Sequence, residues 1–397
     1  MIYTYKVRLM TTEKQEKLLN LHCRAHRVAY NHAIWKIEQA YKNSERMPGK
    51  LTLSKSATGL RVSDSLLACC SFDTASFGAI DASDAFGRYF KTLKTLKSNG
   101  SKTSDVKPPS YRRREDSNSF HTRRLKVESG RVRLPVIGWV KIAPGQRDRI
   151  PVGDYSRDVD FQTGLKLCVS TVSCTCGKWY LSTPVENVVL DKPYVNNEKQ
   201  GVLGIDVGIH VIAADSVGRI WENPKALYRY QNRLTRLQRE LARQEKGSNR
   251  RQHTKRQIAQ LHHRIANIRD YCHHAISSEI LNADVKPAVL SLETLNLKGM
   301  DKNHHIAKAI RDAAPGNLIR QFEYKAEWAG IDVAKQNQWE PTSKKCSCCR
   351  WVNDDLTLKD REFVCESCGL VLDRDTNAAV NMALLEKEKR GLDWYRL

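Results

Sequence analysis

Three acids, four cysteines and two dense runs of basic side chains carry the chemical potential of this sequence. Asp206 stands in VLGIDVGIHVIAADSVGRIW, Glu293 closes AVLSLE, and Asp375 lies in DRDTNAAVN. Two of the acids, taken alone, have an ordinary explanation: a hairpin acid at Asp206, and a helix-start acid favoured by the dipole at Asp375. A phosphodiester hydrolase needs several such groups together. Two Mg²⁺ ions about 3.5–4 Å apart can activate the attacking water and neutralise the leaving oxygen. Hard oxygen ligands suit Mg²⁺, which keeps several waters and takes one or two carboxylates per ion. Asp373 is the rival for the third position. Asp375 is preferred because the Asn-Ala-Ala that follows offers small residues for close helix–sheet packing.

The cysteines fall in two groups. Cys346-x-x-Cys349 and Cys365-x-x-Cys368 are separated by fifteen residues. Thiolates at this spacing wrap one tetrahedral metal, and a closed four-cysteine set implies one structural Zn²⁺ rather than a catalytic one. Cys348, inside the first pair, is an alternate ligand. Cys23, Cys69, Cys70, Cys168 and Cys272 lie in apolar surroundings and read as small core residues, and Cys174-x-Cys176, with no second pair nearby, reads as structural.

The formal net charge is +22, and it is concentrated. Residues 101–150 carry +8 and residues 221–270 carry +9. Charge of this density serves a polyanion, beyond the roughly 2–8 charges that solubility needs on a small domain. No run of about eighteen apolar residues suggests a membrane span, and MIYTYKVRL lacks the apolar core of a signal peptide. A soluble protein, cytoplasmic or nuclear, with no membrane partner is expected.

The elements that must position these groups are legible from periodicity. Residues 2–9 alternate as a strand, and a helix runs from Thr11 to about Tyr41 with Thr12 as N-cap. Further helix fills roughly 63–98, a polar loop spans 98–116, and short β runs occupy 125–190. This order suggests a small β-barrel interrupted by a helical insertion. Beyond it, strands at 202–221 lead into two heptad-like seams about Gly247: Leu227, Tyr230, Leu234, Leu237 and Leu241, then Ile258, Leu261, Ile265, Ile268 and Cys272. These predict an antiparallel helix pair whose other face bears Arg233, Arg236, Arg239, Arg243 and Arg251. A strand at 288–293, a helix near 316–329, the strand IDVAKQ and a last helix from about Thr376 complete a ribonuclease H-like order of elements.

On these residues the chain resembles the TnpB family, transposon-encoded RNA-guided nucleases related to compact type V CRISPR effectors. GIDVGI looks like the first RuvC motif, LETLNLKGM like the second, and TSKKCSCC…CESC with DRDTNAAVN like the zinc module and the third. AHRVAYNHAI, AFGRYF, RLPVIGWVKI and IRQFEYKAEWAG are similar as well. The resemblance implies a multidomain α+β fold: a wedge β-barrel with a helical recognition insertion, and a RuvC nuclease domain with a zinc-ribbon insertion. It implies domains at 1–10 (first barrel strand), 11–105 (helical recognition), 106–196 (barrel), 197–340 (nuclease, hairpin 225–282), 341–372 (zinc module) and 373–397 (last helix and tail). It further implies a guide RNA, double-stranded target DNA, recognition of a short adjacent motif, and cleavage at Asp206, Glu293 and Asp375 by a monomer in its ribonucleoprotein. Arg112, Arg113 and Arg114 would belong to the RNA-gripping half. Two departures stand out: Pro315 replaces a large aromatic, and Arg350 replaces a glycine in the zinc knuckle. The rival readings are a type V effector serving a CRISPR array, a guided repressor without cleavage, and a junction resolvase.

Overall fold

A computed structural model describes residues 2–395 apart from 101, 115–117, 156–158, 161–164, 188–198, 284, 338 and 358–359. The chain divides into two compact units, 1–191 and 192–397. The boundary expected at 196/197 lies outside the described residues.

In the first unit, strand β1 (Ile2–Met10) leads into helix α1 (Glu13–Lys42). The helix starts at a capping box: Thr12 Oγ1 accepts from the Gln15 amide, and the Gln15 side chain accepts from the Thr12 amide. Helices α2 (Lys50–Gly59), α3 (Ser65–Ala68) and α4 (Phe72–Ser98) follow. Ala29, Ala33, Ile37, Leu53, Ala79 and Ala82 share one core. Gly78 allows the close approach of α4 to α1, since a Cβ there would lie 2.5 Å from the His26 carbonyl oxygen.

The rest of the unit is antiparallel sheet. Its strands are β2 (Ser119–Thr122), β3 (Lys126–Glu128), β4 (Arg131–Leu134), β5 (Gly138–Ile142), β6 (Gly153–Asp154), β7 (Val159–Asp160), β8 (Leu165–Leu167), β9 (Ser170–Thr175) and β10 (Lys178–Asn187). The hydrogen-bonded order is β2-β9-β10-β1-β5-β4-β3-β6, with β8 also on β10 and β7 on β8. Among the described residues no ladder joins β2 to β6, so the sheet is an open path rather than a closed barrel. Phe120 of β2 and Val127 of β3 nevertheless share one core, so the sheet curls around it. Cys23 and Cys70 are buried as expected, but Cys69 is exposed. Its place just past the four-residue α3 leaves it outside the apolar face that Leu67 and Cys70 fill.

The second unit holds β11 (Lys199–Asp206), β12 (Val211–Asp215), β13 (Ile220–Glu222), α5 (Ala226–Arg243), α6 (Asn249–Leu281), β14 (Lys286–Glu293), α7 (Leu297–Lys302), α8 (Ala307–Ala313), α9 (Pro315–Ala329), β15 (Asp332–Gln336), β16 (Glu362–Val364), β17 (Val371–Asp373) and α10 (Arg374–Arg390). Its main sheet runs β13-β12-β11-β14-β15, antiparallel on one side of β11 and parallel on the other. Leu203, Ile205, Leu290 and Leu292 turn toward Ile276 and Ile280 of α6 and Leu318 and Phe322 of α9. The α5–α6 hairpin closes on the expected seam, with Leu234, Leu237, Leu261 and Ile265 buried together. Pro315 occupies the first turn of α9, where its missing amide costs nothing, after Ala314 at φ +48°. The C-terminal segment returns to the sheet. Trp394 bridges Val202, buried Tyr395 donates its hydroxyl to the Val285 carbonyl at 2.7 Å, and a Cβ on Gly201 would sit 2.2 Å from the Trp394 backbone.

Candidate active site

Register brings the first two acids together. β11 and β14 are parallel, with Gly204 beside Ser291 and Ile205 beside Leu292, so the next row is Asp206 beside Glu293. Neighbours in such a row share a face, on strands about 4.8 Å apart.

Helix α10 supplies the third acid, and Gly204 is what seats it. A Cβ on Gly204 would lie 1.9 Å from the Ala379 carbonyl oxygen and 2.9 Å from the Ala383 amide nitrogen. Only a bare α-carbon lets the helix lie this low. Ser291, one strand over, donates its hydroxyl to the Met382 carbonyl at 2.8 Å. Ala383 packs on Val202 and Ala379 on Gly204, so α10 runs against the direction of β11. From Ala379 back to Asp375 is about 6 Å of helix, and from Gly204 on to Asp206 is about 6.6 Å of strand. The two acids therefore arrive at the same end of the sheet.

Asp373 is engaged elsewhere. It is the N-cap of α10, and its Oδ1 accepts from the amides of Asp375 at 3.0 Å and Thr376 at 2.9 Å. Asp375 is buried, and its Oδ1 accepts from Arg374 Nη2 at 3.0 Å, while Arg361 Nη1 lies 3.8 Å from Oδ2. Burial, and then repulsion from Glu293 and Asp375, pushes the Asp206 carboxyl well above its ordinary range. Burial also raises Glu293. The oxygens of the three acids do not all lie within 4.8 Å of one another, unlike the cysteine sulfurs. Hard carboxylate donors, two of them raised by burial, fit a divalent oxygen-seeking cation such as Mg²⁺. Gly204, Arg361 and Arg374 are the site residues that sequence reasoning missed. For Arg374 the signal was available in its place between two acids.

The sulfurs of Cys346, Cys349, Cys365 and Cys368 lie within 4.8 Å of one another. Cys346 Sγ is 3.7 Å from Cys368 Sγ, and Cys349 Sγ is 3.5 Å from Cys365 Sγ. These are far beyond a disulfide and close to the edge of about 3.8 Å of a tetrahedron with Zn–S near 2.3 Å. The cluster suggests zinc. Hydrogen bonding from the Trp351 amide draws the Cys349 thiol down to about 6, toward the thiolate that a metal takes. Cys348 is exposed and outside the cluster. Arg350 forms the knuckle turn at φ +70°, its guanidinium tied to Glu388. The knuckle is fastened to α10 by two asparagines one turn apart: Asn377 and Asn381 both donate to the Lys345 carbonyl.

The arginines divide. Arg233, Arg236, Arg239 and Arg243 are exposed on α5, and the last three line a polar cavity of about 900 Å³ with Gln231, Thr235 and Arg250. Arg251 is not with them. Its Nη1 donates to the carbonyls of Leu241 and Gln244, closing the C-terminus of α5. Arg112 is also turned inward: its guanidinium stacks 3.8 Å from the Tyr30 ring, and its backbone is held on both sides by Asn31. Arg113 and Arg114 are exposed.

Three family models match: "Probable transposase" over residues 182–304, "Cas12f1-like, TNB domain" over 316–382, and "Helix-turn-helix domain" over 1–46. The last name does not describe these residues here, which form one strand and one 30-residue helix. The chain is 34% identical over 206 residues to a Streptomyces pristinaespiralis protein named "Putative RNA-guided DNA endonuclease", covering 52% of this chain and about half, 49%, of that relative. It is 30% identical over 293 residues to Escherichia coli "Putative RNA-guided DNA endonuclease InsQ", covering 69% of this chain and 67% of the relative. The solved "mini-RNA-guided endonuclease CRISPR-Cas_phi3" aligns over 100% of this chain and 94% of its own at 9% identity, with a TM-score of 0.47. The breadth of the Escherichia coli match and the transposase match at residues 182–304 place the family: this chain belongs to the OrfB/TnpB family of IS605-type transposons.

Proposed function

We propose that this chain is an RNA-guided DNA endonuclease whose second unit is a ribonuclease H-like (RuvC) nuclease, with Asp206, Glu293 and Asp375 as its metal-binding carboxylates. The observation that carries this reading is the register of β11, β14 and α10, which delivers three sequence-distant acids to one end of one sheet. Asp206 and Glu293 would offer oxygens from neighbouring strands and Asp375 from the helix start. When bound, a pair of Mg²⁺ ions supplies an activated water and neutralises the leaving oxygen. The protein's part is to hold the acids close together and out of bulk water, where Asp206 and Glu293 gain from a cation. Arg374 donates to Asp375 Oδ1 and Arg361 lies 3.8 Å from Oδ2, so the two guanidiniums hold that side chain in place and would give way to a metal. The four cysteines would hold one structural zinc, and Asn377 and Asn381 couple that knuckle to the helix bearing Asp375.

Guide RNA and double-stranded target DNA are the partners this reading requires. Protein would grip backbones by charge, and base pairing would supply sequence. Arg233, Arg236, Arg239 and Arg243, exposed along one helix, suit a phosphate track. Arg112 and Arg251 are left out of that role. The test is cleavage by the purified protein with the RNA that co-purifies with it. Wild type should cut a matched duplex in Mg²⁺, and Asp206→Ala should bind the same duplex without cutting it. Cutting that survives Asp206→Ala would overturn the assignment.

A further inference from the structure

Far in sequence from the acids, the first unit contains a second set of metal-type ligands. His26 of α1, Asp81 of α4 and His121 of β2 bring three ligand atoms within 4.8 Å of one another. Both imidazole Nε2 atoms point at the same carboxylate oxygen: His26 Nε2 and His121 Nε2 each lie 3.3 Å from Asp81 Oδ2. That is long for a charge-assisted hydrogen bond, which runs to about 2.7–2.9 Å. It matches the edge of about 3.3 Å between ligands of a tetrahedral ion with bonds near 2.0–2.1 Å. His26 is fully buried, and its Nε2 faces Asp81 Oδ2 without the geometry of an ordinary hydrogen bond. His121 is oriented from behind, with Nδ1 3.0 Å from Thr171 Oγ1, as ligating imidazoles are.

We propose that His26, Asp81 and His121 form a divalent-cation site of zinc-type chemistry, separate from the four cysteines. Two neutral imidazoles and one carboxylate are a ligand set that suits Zn²⁺, with a fourth position for water. Arg112 is the competitor. Its Nη2 lies 3.6 Å from Asp81 Oδ2 and its Nη1 3.5 Å from His26 Nδ1, so it shares the carboxylate when no ion is bound. Entry of the ion requires the guanidinium to withdraw and the His26 proton to settle on Nδ1. Even in a water-like dielectric, a doubly charged ion about 6 Å from a guanidinium is disfavoured roughly tenfold. The ion would pin α1 and α4 to β2, and so fasten the helices to the sheet within this unit.

The experiment loads the full-length chain with Zn²⁺ by dialysis and counts metal, with Co²⁺ substitution to mark thiolate ligation separately. Wild type should take up one equivalent beyond the cysteine-bound one. His121→Gln, at a half-buried position, and Asp81→Asn should each lose that equivalent and keep the thiolate–cobalt charge-transfer band. Arg112→Gln should tighten the second equivalent by roughly tenfold or more. Saturation of wild type at the cysteine equivalent alone would overturn the proposal. So would a second equivalent that persists in folded His121→Gln.

Discussion

Replacing Gly204 by alanine tests the geometry of the acid cluster without touching an acid. The added Cβ would meet the Ala379 carbonyl oxygen at 1.9 Å, whereas ordinary contact begins at 3.4 Å. The obstacle is backbone on both sides, so α10 must lift or slide by about 1.5 Å. Overpacking of this kind costs about 1–3 kcal/mol of stability. The larger effect falls on chemistry. Catalytic groups must be held within about 0.5 Å, and a misplacement of about 1 Å can cost about 100-fold. Gly204→Ala should therefore slow cleavage by about 100-fold or more, raise the Mg²⁺ concentration needed for half-maximal rate, and leave affinity for RNA and duplex within a few-fold. Single-turnover cleavage across a Mg²⁺ series, beside circular dichroism melting, reads all three. A folded Gly204→Ala protein that cuts at the wild-type rate would refute the argument that α10 is seated through this residue.

Four further outcomes follow from the same structure. Asp206→Asn should abolish cleavage yet raise the melting temperature of the metal-free chain. Asp206 is raised in the fold, so the folded state binds more protons above the ordinary carboxylate pKa of about 3.9, and metal-free stability falls as pH rises from there. Glu293→Ala and Asp375→Ala should abolish cutting in the same assay, while Asp373→Ala loses an N-cap worth about 1 kcal/mol and keeps most activity. Arg350→Gly should relieve a left-handed backbone position by about 1 kcal/mol and raise the melting temperature, whereas Cys365→Ser or chelation should lower it. Neutralising Arg236, Arg239 and Arg243 should flatten the salt dependence of nucleic-acid binding by about three times the 0.7–0.9 counterion factor, while Arg251→Ala should lower stability instead.

What the sequence made legible were the features written in local spacing: the Thr12 N-cap, the paired seams of α5 and α6, the two Cys-x-x-Cys turns, and each acid at a strand end or helix start. What it hid depends on partners that only folding brings near. Nothing in the arginine pattern separates Arg243, which faces outward, from Arg251, which meets the free carbonyls ending α5. Arg112 shares a run with Arg113 and Arg114, but a tyrosine 82 positions earlier draws it inward. The preference for Asp375 over Asp373 rested on the small residues after it. The structure shows what the sequence does not, that Asp373 accepts from two amides as the helix cap.

The seating of the C-terminal segment bears on the order in which the protein is made. β11, the central strand of the second unit, is made halfway through synthesis, but two of its surfaces stay uncovered until the end. Gly204 waits for Ala379, and Gly201 and Val202 wait for Trp394 and Tyr395. The first unit, a compact body of its own over residues 1–191, can fold while synthesis continues. A nascent or truncated chain lacking residues 374–395 would thus present a folded N-terminal unit before the three acids are brought together.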